Sequence, residues 1–166
     1  MSELLVTYME MPAPPAGDPL PPPRPDARVA RENLAPGDYL ALYRAIGETV
    51  QWDEHLLMPA PDLEAFLADP AIDLFVLRLG DQPAGLCELD RRSAPEVEIK
   101  HFGLLPSAQG QRLGPFLLDV ALRGAWSRGA RRIWLHTDTN DHSKARQTYE
   151  RSGFRVYQER WESFPP

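Results

Sequence analysis

Along Leu74-Phe75-Val76-Leu77-Arg78-Leu79 and Ala84-Gly85-Leu86-Cys87-Glu88-Leu89 the apolar residues come in short runs, separated by Gly80-Asp81-Gln82. Runs of this length around a glycine turn predict two strands joined by a tight connection. A third extended segment, Val97 to Leu105, follows the turn-forming stretch Arg91 to Pro95, so three consecutive strands make an antiparallel meander. On either side the period changes. Upstream, Tyr39, Leu40, Leu42, Tyr43 and Ile46 recur at helical spacing between Pro36 and Val50. Pro61 to Pro70, with proline near its entry and beyond its exit, predicts a second, short helix, and the link Trp52 to Met58 between the two is irregular. Downstream, Leu113, Phe116, Leu117, Val120, Ala121 and Gly124 mark one face of a helix that carries Arg112, Asp119, Arg123 and Arg128 on the other. Ile133 to His136 reads as a short buried strand, Asp141 to Ser152 as a helix ended by Gly153, and Phe154 to Trp161 as a last strand. Leu4 to Met9 alternates as a strand does. Met11 to Pro25, which contains Pro21-Pro22-Pro23, is a polyproline-like connection over the surface, a spacer in the first instance and a docking ligand in the alternative. Strands around a crossover helix imply an α/β (α+β) fold with a mixed sheet.

Composition narrows the function classes. With 166 residues, 43% of them hydrophobic, the chain has the length of one domain, 1–166, with a real core. A formal net charge of −6 and the absence of a Lys/Arg block argue against nucleic acid as a partner. Cys87 is the sole cysteine, so no disulfide or cysteine-based metal site can form within one chain. No apolar stretch approaches the ~20 residues of a membrane span, and the first residues lack a basic leader. A cytoplasmic protein that does not bind membranes is the expectation.

The chemistry is concentrated where the third meander strand meets the long helix, at Leu104-Leu105-Pro106-Ser107-Ala108-Gln109-Gly110-Gln111-Arg112-Leu113-Gly114-Pro115. Pro115 lacks an N–H and suits a helix's first turn, which predicts a helix beginning near Arg112. Amides around Gln111 to Gly114 then have no intrahelical partner. They point out of the helix N-terminus, where the macrodipole favours an anion such as a pyrophosphate, and Gly110 and Gly114 allow close approach. A strand, a glycine turn and a helix are also common as plain structure. The second feature is Asn140-Asp141-His142-Ser143-Lys144-Ala145-Arg146-Gln147-Thr148-Tyr149-Glu150-Arg151-Ser152-Gly153-Phe154, which follows the strand at Ile133.

Taken together, the two segments resemble the GNAT superfamily of acyl-CoA-dependent N-acyltransferases. That family's Q/R-x-x-G-x-G/A loop is similar to Gln109-Gly110-Gln111-Arg112-Leu113-Gly114, with Arg112 standing where the family has its middle glycine. Its Asn, Ala and Tyr-Glu-x-x-Gly-Phe mark is matched by Asn140, Ala145 and Tyr149 to Phe154. The resemblance covers roughly residues 97 to 156. It implies a mostly antiparallel central sheet whose two central strands splay apart, with acetyl-CoA as co-substrate and no metal. Gln109, Gly110, Gln111, Arg112, Leu113, Gly114 and Pro115 would hold the diphosphate, provided φ at Arg112 stays helical. Phe102, Gly103 and Leu104 would pair with the pantetheine arm, and Asn140 and Tyr149 would also touch the cofactor, an ordinary helix cap being the alternative for Asn140. Tyr149 is the expected acid for the departing thiolate, its alternative role being to pack a helix on the sheet. Glu98, at the family position that feeds water-relayed base catalysis, is the expected base, against a plain solvated carboxylate. By strand parity Glu98 shares a face with Phe102 and Leu104, and His101 faces away unless a bulge intervenes. His101 and His142 are weaker candidates, while Trp126 and Trp134 read as core. The implied activity is N-acetyl transfer to a primary amine of a small molecule or peptide; a non-catalytic acyl-CoA sensor is the alternative. An edge strand near the C-terminus could pair two copies.

Overall fold

The computed structural model describes residues 2–48, 52, 54–138 and 144–164. Seven strands form one sheet: β1 (Ser2–Met11), β2 (Ala27–Arg31), β3 (Ile72–Leu79), β4 (Gln82–Asp90), β5 (Glu96–Leu104), β6 (Arg132–Asp138) and β7 (Arg155–Phe164). Four helices accompany them: α1 (Pro36–Gly47), α2 (Ala60–Ala68), α3 (Leu113–Ser127) and α4 (Ala145–Ser152). The sheet order is β2-β3-β4-β5-β6-β1-β7. The meander β3-β4-β5 is antiparallel as its pattern predicts, and the crossover through α3 makes β5 and β6 the parallel pair.

Two apolar layers sandwich the sheet. Tyr39, Leu42, Tyr43 and Ile46 of α1 and Leu63 of α2 close over Leu74, Val76 and Leu86 on one face. On the other, Leu113, Leu117, Leu118 and Ala121 of α3, with Tyr149 of α4, pack on Cys87, Leu89, Val97 and Ile99. β4 is covered on both sides and therefore reads as an apolar run interrupted by Glu88.

β1 extends the predicted Leu4–Met9 strand and lies between β6 and β7, antiparallel to both. β2 was not anticipated from the sequence. Its Ala-Arg-Val-Ala-Arg pattern is too short and polar to stand out, because it is an edge strand paired only with β3. The proline-rich segment must therefore run from β1, near one edge of the sheet, to β2 at the other. It does so across α3: the Leu20 amide donates to Asp119 (3.0 Å), and the Arg123 guanidinium donates to the carbonyls of Gly17 and Asp18 (3.1 Å each). The polar face predicted for α3 thus buries Asp119 beneath this strap, paired with Arg123 at 3.0 Å.

Candidate functional site

β5 and β6 are paired over only three positions, Glu96↔Arg132, Val97↔Ile133 and Glu98↔Trp134. Both strands continue beyond them, to Leu104 and Asp138. Past Glu98 each strand keeps only its outer partner, β4 or β1, so the inner edges diverge and present main-chain N–H and C=O groups to the gap.

A cleft of about 360 Å³ opens at the wide end of this gap. Phe102, Gly103 and Leu104 of β5 line one wall, and Gln109, Gly110 and Arg112 through Pro115 the next. α4 supplies the third with Lys144, Ala145, Thr148, Tyr149 and Arg151. The helix begins at Leu113, one residue later than expected, with Pro115 inside its first turn. Main-chain N–H groups of that turn lack intrahelical acceptors by construction and belong to residues that line the cleft, where Arg112, Lys144 and Arg151 add positive charge. This surface fits a diphosphate.

Arg112 departs from the sequence expectation. Its φ of 63° and ψ of 15° lie in the left-handed region, so the N-cap has the conformation a glycine adopts freely and the helical φ is not retained. The turn that lets the following amides converge requires this, and Gly110 beside it (φ 77°) shares the same region. The Gln111 side chain is engaged elsewhere: it accepts from Arg24 (3.0 Å) and donates to the Ser107 carbonyl (3.1 Å). Asn140 and His142, expected at the mouth of α4, lie outside the described residues. Lys144, Thr148 and Arg151 were not singled out in the sequence, although their i, i+4, i+7 spacing places them on one stripe of α4.

Tyr149 is buried and reaches the cleft from α4, with its ring 5.6 Å from that of Phe102 and 5.8 Å from that of Phe154. The parity expected along β5 is broken. Register passes from Glu88↔His101 to Leu89↔Ile99, which leaves Lys100 as an extra, bulged residue. Val97 and Ile99 face α3, and so do Phe102 and Leu104, while Glu98, His101 and Gly103 face the opposite side. Glu98 therefore does not share a face with Phe102 and Leu104.

On that opposite face Glu98 lines a second cavity of about 290 Å³ with Tyr8, Asp90, Trp134 and Tyr157, so Trp134 is a cavity wall and not core. Burial pushes the Glu98 carboxyl above the usual carboxylate range, against the opposing pull of Lys100 and His136, each 3.8 Å away.

The bulge also completes a buried polar cluster that sequence reasoning missed. Glu88 of β4 is wholly buried; one of its oxygens accepts from the Tyr39 hydroxyl, the other from His101 Nδ1 (2.9 Å) and His55 Nε2 (3.2 Å). Burial alone would raise the Glu88 carboxyl, but the hydrogen bonds and charges of His101 and His55 outweigh it and hold it at about 2. His101 Nε2 is in turn paired with the Tyr43 hydroxyl at 3.2 Å. Glu54, His55 and His101 each bring a potential metal-ligating atom within 4.8 Å of the others. Three of the four ring nitrogens are nevertheless engaged by Glu88 and Tyr43, so the network is held together by its own hydrogen bonds. The signal in the sequence was Glu88 itself, a carboxylate inside an apolar run.

Among the described residues no helix is long and apolar enough to cross a membrane. A GNAT-family structure from Novosphingobium aromaticivorans superposes with a TM-score of 0.67 at 19% identity, covering 97% of this chain and 63% of its own. A GCN5-related N-acetyltransferase from Kribbella flavida gives 0.65 at 17%, with 93% and 55% covered. The chain thus spans less than two thirds of the length of either. An aminoglycoside acetyltransferase from an uncultured soil metagenomic sample gives 0.62 at 16%, with 76% and 87% covered. These likenesses are likenesses of fold, and no curated protein matches the sequence. The profile of the acetyltransferase (GNAT) family matches residues 39–154, from α1 through the anion cradle to the residue before β7. Since that match takes in the divergent strands and both motifs that flank them, the chain belongs to the GNAT family of acetyltransferases.

Proposed function

We propose that the protein moves an acetyl group from acetyl-CoA directly to a primary amine. The observation that carries this reading is the continuity of the cationic cradle at the start of α3 with the gap between β5 and β6. Gln109 to Pro115 hold the diphosphate through first-turn amides and Arg112, and the inner edge of β5 at Phe102 to Leu104 pairs with the pantetheine amides. Bound acetyl-CoA supplies an activated thioester. The acceptor enters from the face that carries Glu98, which takes the proton that the amine must lose; a partly buried carboxyl with a raised pKa suits that task. Tyr149, on the other face of β5, gives its phenolic proton to the sulfur as the C–S bond breaks. The fold shared with an aminoglycoside acetyltransferase supports a small-molecule amine as acceptor.

The test is thiol release when acetyl-CoA meets a panel of amines. Tyr149→Phe lowers kcat about 10²-fold or more with little change in the affinity for acetyl-CoA. Unchanged kcat in that variant removes Tyr149 from the mechanism.

A further inference from the structure

The cleft has a polar end at the cradle and an apolar end beside Gly103, closed by Ile46 and Trp52. Trp52 is held there by two glycines. Over Gly103 its Cζ2 and Cη2 lie 3.3 Å from where a Cβ would stand, and its own Cβ lies 2.4 Å from the Cβ position of Gly47. A Cβ at Gly47 would run into the tryptophan side chain, and one at Gly103 would meet Ile46 Cγ2 at 2.6 Å and press on the indole. Its amide also donates to the Gly47 carbonyl (3.2 Å), tying it to the last turn of α1. On the side away from the cleft the indole ring packs against His101 (4.8 Å between centroids) and Tyr43 (5.3 Å). Glu88 holds His101 and His101 in turn holds Tyr43, so a buried network stands behind the wall.

We infer that Trp52 is the end wall of the acyl site and restricts the protein to short acyl groups. This inference rests on the acyl-CoA reading of the cleft. A ligand anchored at the cradle and running along Phe102 to Leu104 meets the indole at its far end, where a methyl group fits and a longer chain must displace a braced ring. His101, Tyr43 and Glu88 are positioning residues for the wall.

The experiment is calorimetric titration of acetyl-, butyryl- and hexanoyl-CoA into the wild-type protein and Trp52→Ala, which reads binding independently of turnover. Wild type binds butyryl- and hexanoyl-CoA at least tenfold more weakly than acetyl-CoA. Trp52→Ala reverses the order, gaining up to about fourfold in affinity per added methylene, the factor equivalent to ~0.8 kcal/mol per buried CH₂. Trp52→Phe, which keeps a ring between the glycines, retains the wild-type order and serves where the alanine variant does not fold. Equal affinity of wild type for all three ligands overturns the inference whatever the variants do, as does an unchanged order in Trp52→Ala. Failure of every ligand, coenzyme A included, to bind folded wild type instead refutes the acyl-CoA reading beneath it.

Discussion

Replacing Arg112 by glycine separates what its backbone costs from what its side chain contributes. At φ 63° and ψ 15° an L-residue bears roughly 1–2 kcal/mol of steric penalty that glycine does not. Glycine also frees the unfolded chain, which returns about 0.4–1 kcal/mol of that gain. The net is about 0.5–1 kcal/mol of stabilisation, a rise in Tm of about 1–4 °C for a chain of this size. Arg112→Ala keeps the penalty and loses the guanidinium, so its Tm stays at or below that of wild type. On the proposed reading both variants also lose a charge-assisted contact to phosphate. Such a contact is worth about 1.5–3 kcal/mol when shielded from water, and an exposed side chain retains only part of it, leaving a three- to tenfold loss of affinity for coenzyme A. Thermal melts of the three proteins and calorimetric titration of coenzyme A into each make the measurement. If Arg112→Gly melts below Arg112→Ala, the strain assigned to this N-cap is absent, and if both bind coenzyme A as wild type does, the guanidinium does not reach the phosphates.

Two further outcomes follow from the packing and the buried charge. In Gly124→Ala the added methyl would stand 2.7 Å from Phe75 Cζ, so overpacking of about 1–3 kcal/mol outweighs the ~1 kcal/mol gain in helix propensity, and thermal denaturation shows a lower Tm; an unchanged or raised Tm refutes the fit of α3 against β3. The Glu88 carboxyl is depressed in the folded state to about 2, so its contribution is complete above the ordinary carboxylate value and fades as pH falls from about 4.5 toward 2. It amounts to about 3 kcal/mol, and Glu88→Gln therefore flattens the loss of stability over that window in denaturant titrations, whereas parallel wild-type and variant curves contradict the linkage.

Much of the fold is legible in the sequence because periodicity and turn residues agree with the final packing. The meander and α3 carry an apolar pattern matched to their burial, whereas α4 buries only Tyr149 and β7 leaves Val156, Tyr157 and Trp161 exposed. The turn that precedes α3 is equally readable, since Gly110 and Pro115 mark it at fixed spacing. What escapes is set by tertiary contacts. β2 is short, polar and at an edge, so only its pairing with β3 makes it a strand. No local signal places β1 between two strands that follow it by more than a hundred residues. The bulge at Lys100 leaves no local mark either, yet it reverses the relation of Glu98 to Phe102 and brings His101 to Glu88. Trp52 likewise sits in an irregular link, and its place at the cleft depends on notches that Gly47 and Gly103 provide from two different elements.

On the proposed reading, main-chain donors at the start of α3 grip the diphosphate of coenzyme A. Gly114→Asp tests it most directly, because a Cβ there meets nothing closer than 3.8 Å and an acidic residue in a helix's first turn suits the dipole, so the fold is spared. The new carboxylate would face the phosphates within a few ångströms, a repulsion of about 3 kcal/mol at an effective dielectric near 20. Calorimetry is predicted to show one acetyl-CoA bound per wild-type chain and affinity at least 100-fold weaker in the variant at unchanged Tm. Folded wild type that gives no heat with acetyl-CoA, or a variant that binds it as tightly as wild type does, would contradict the account.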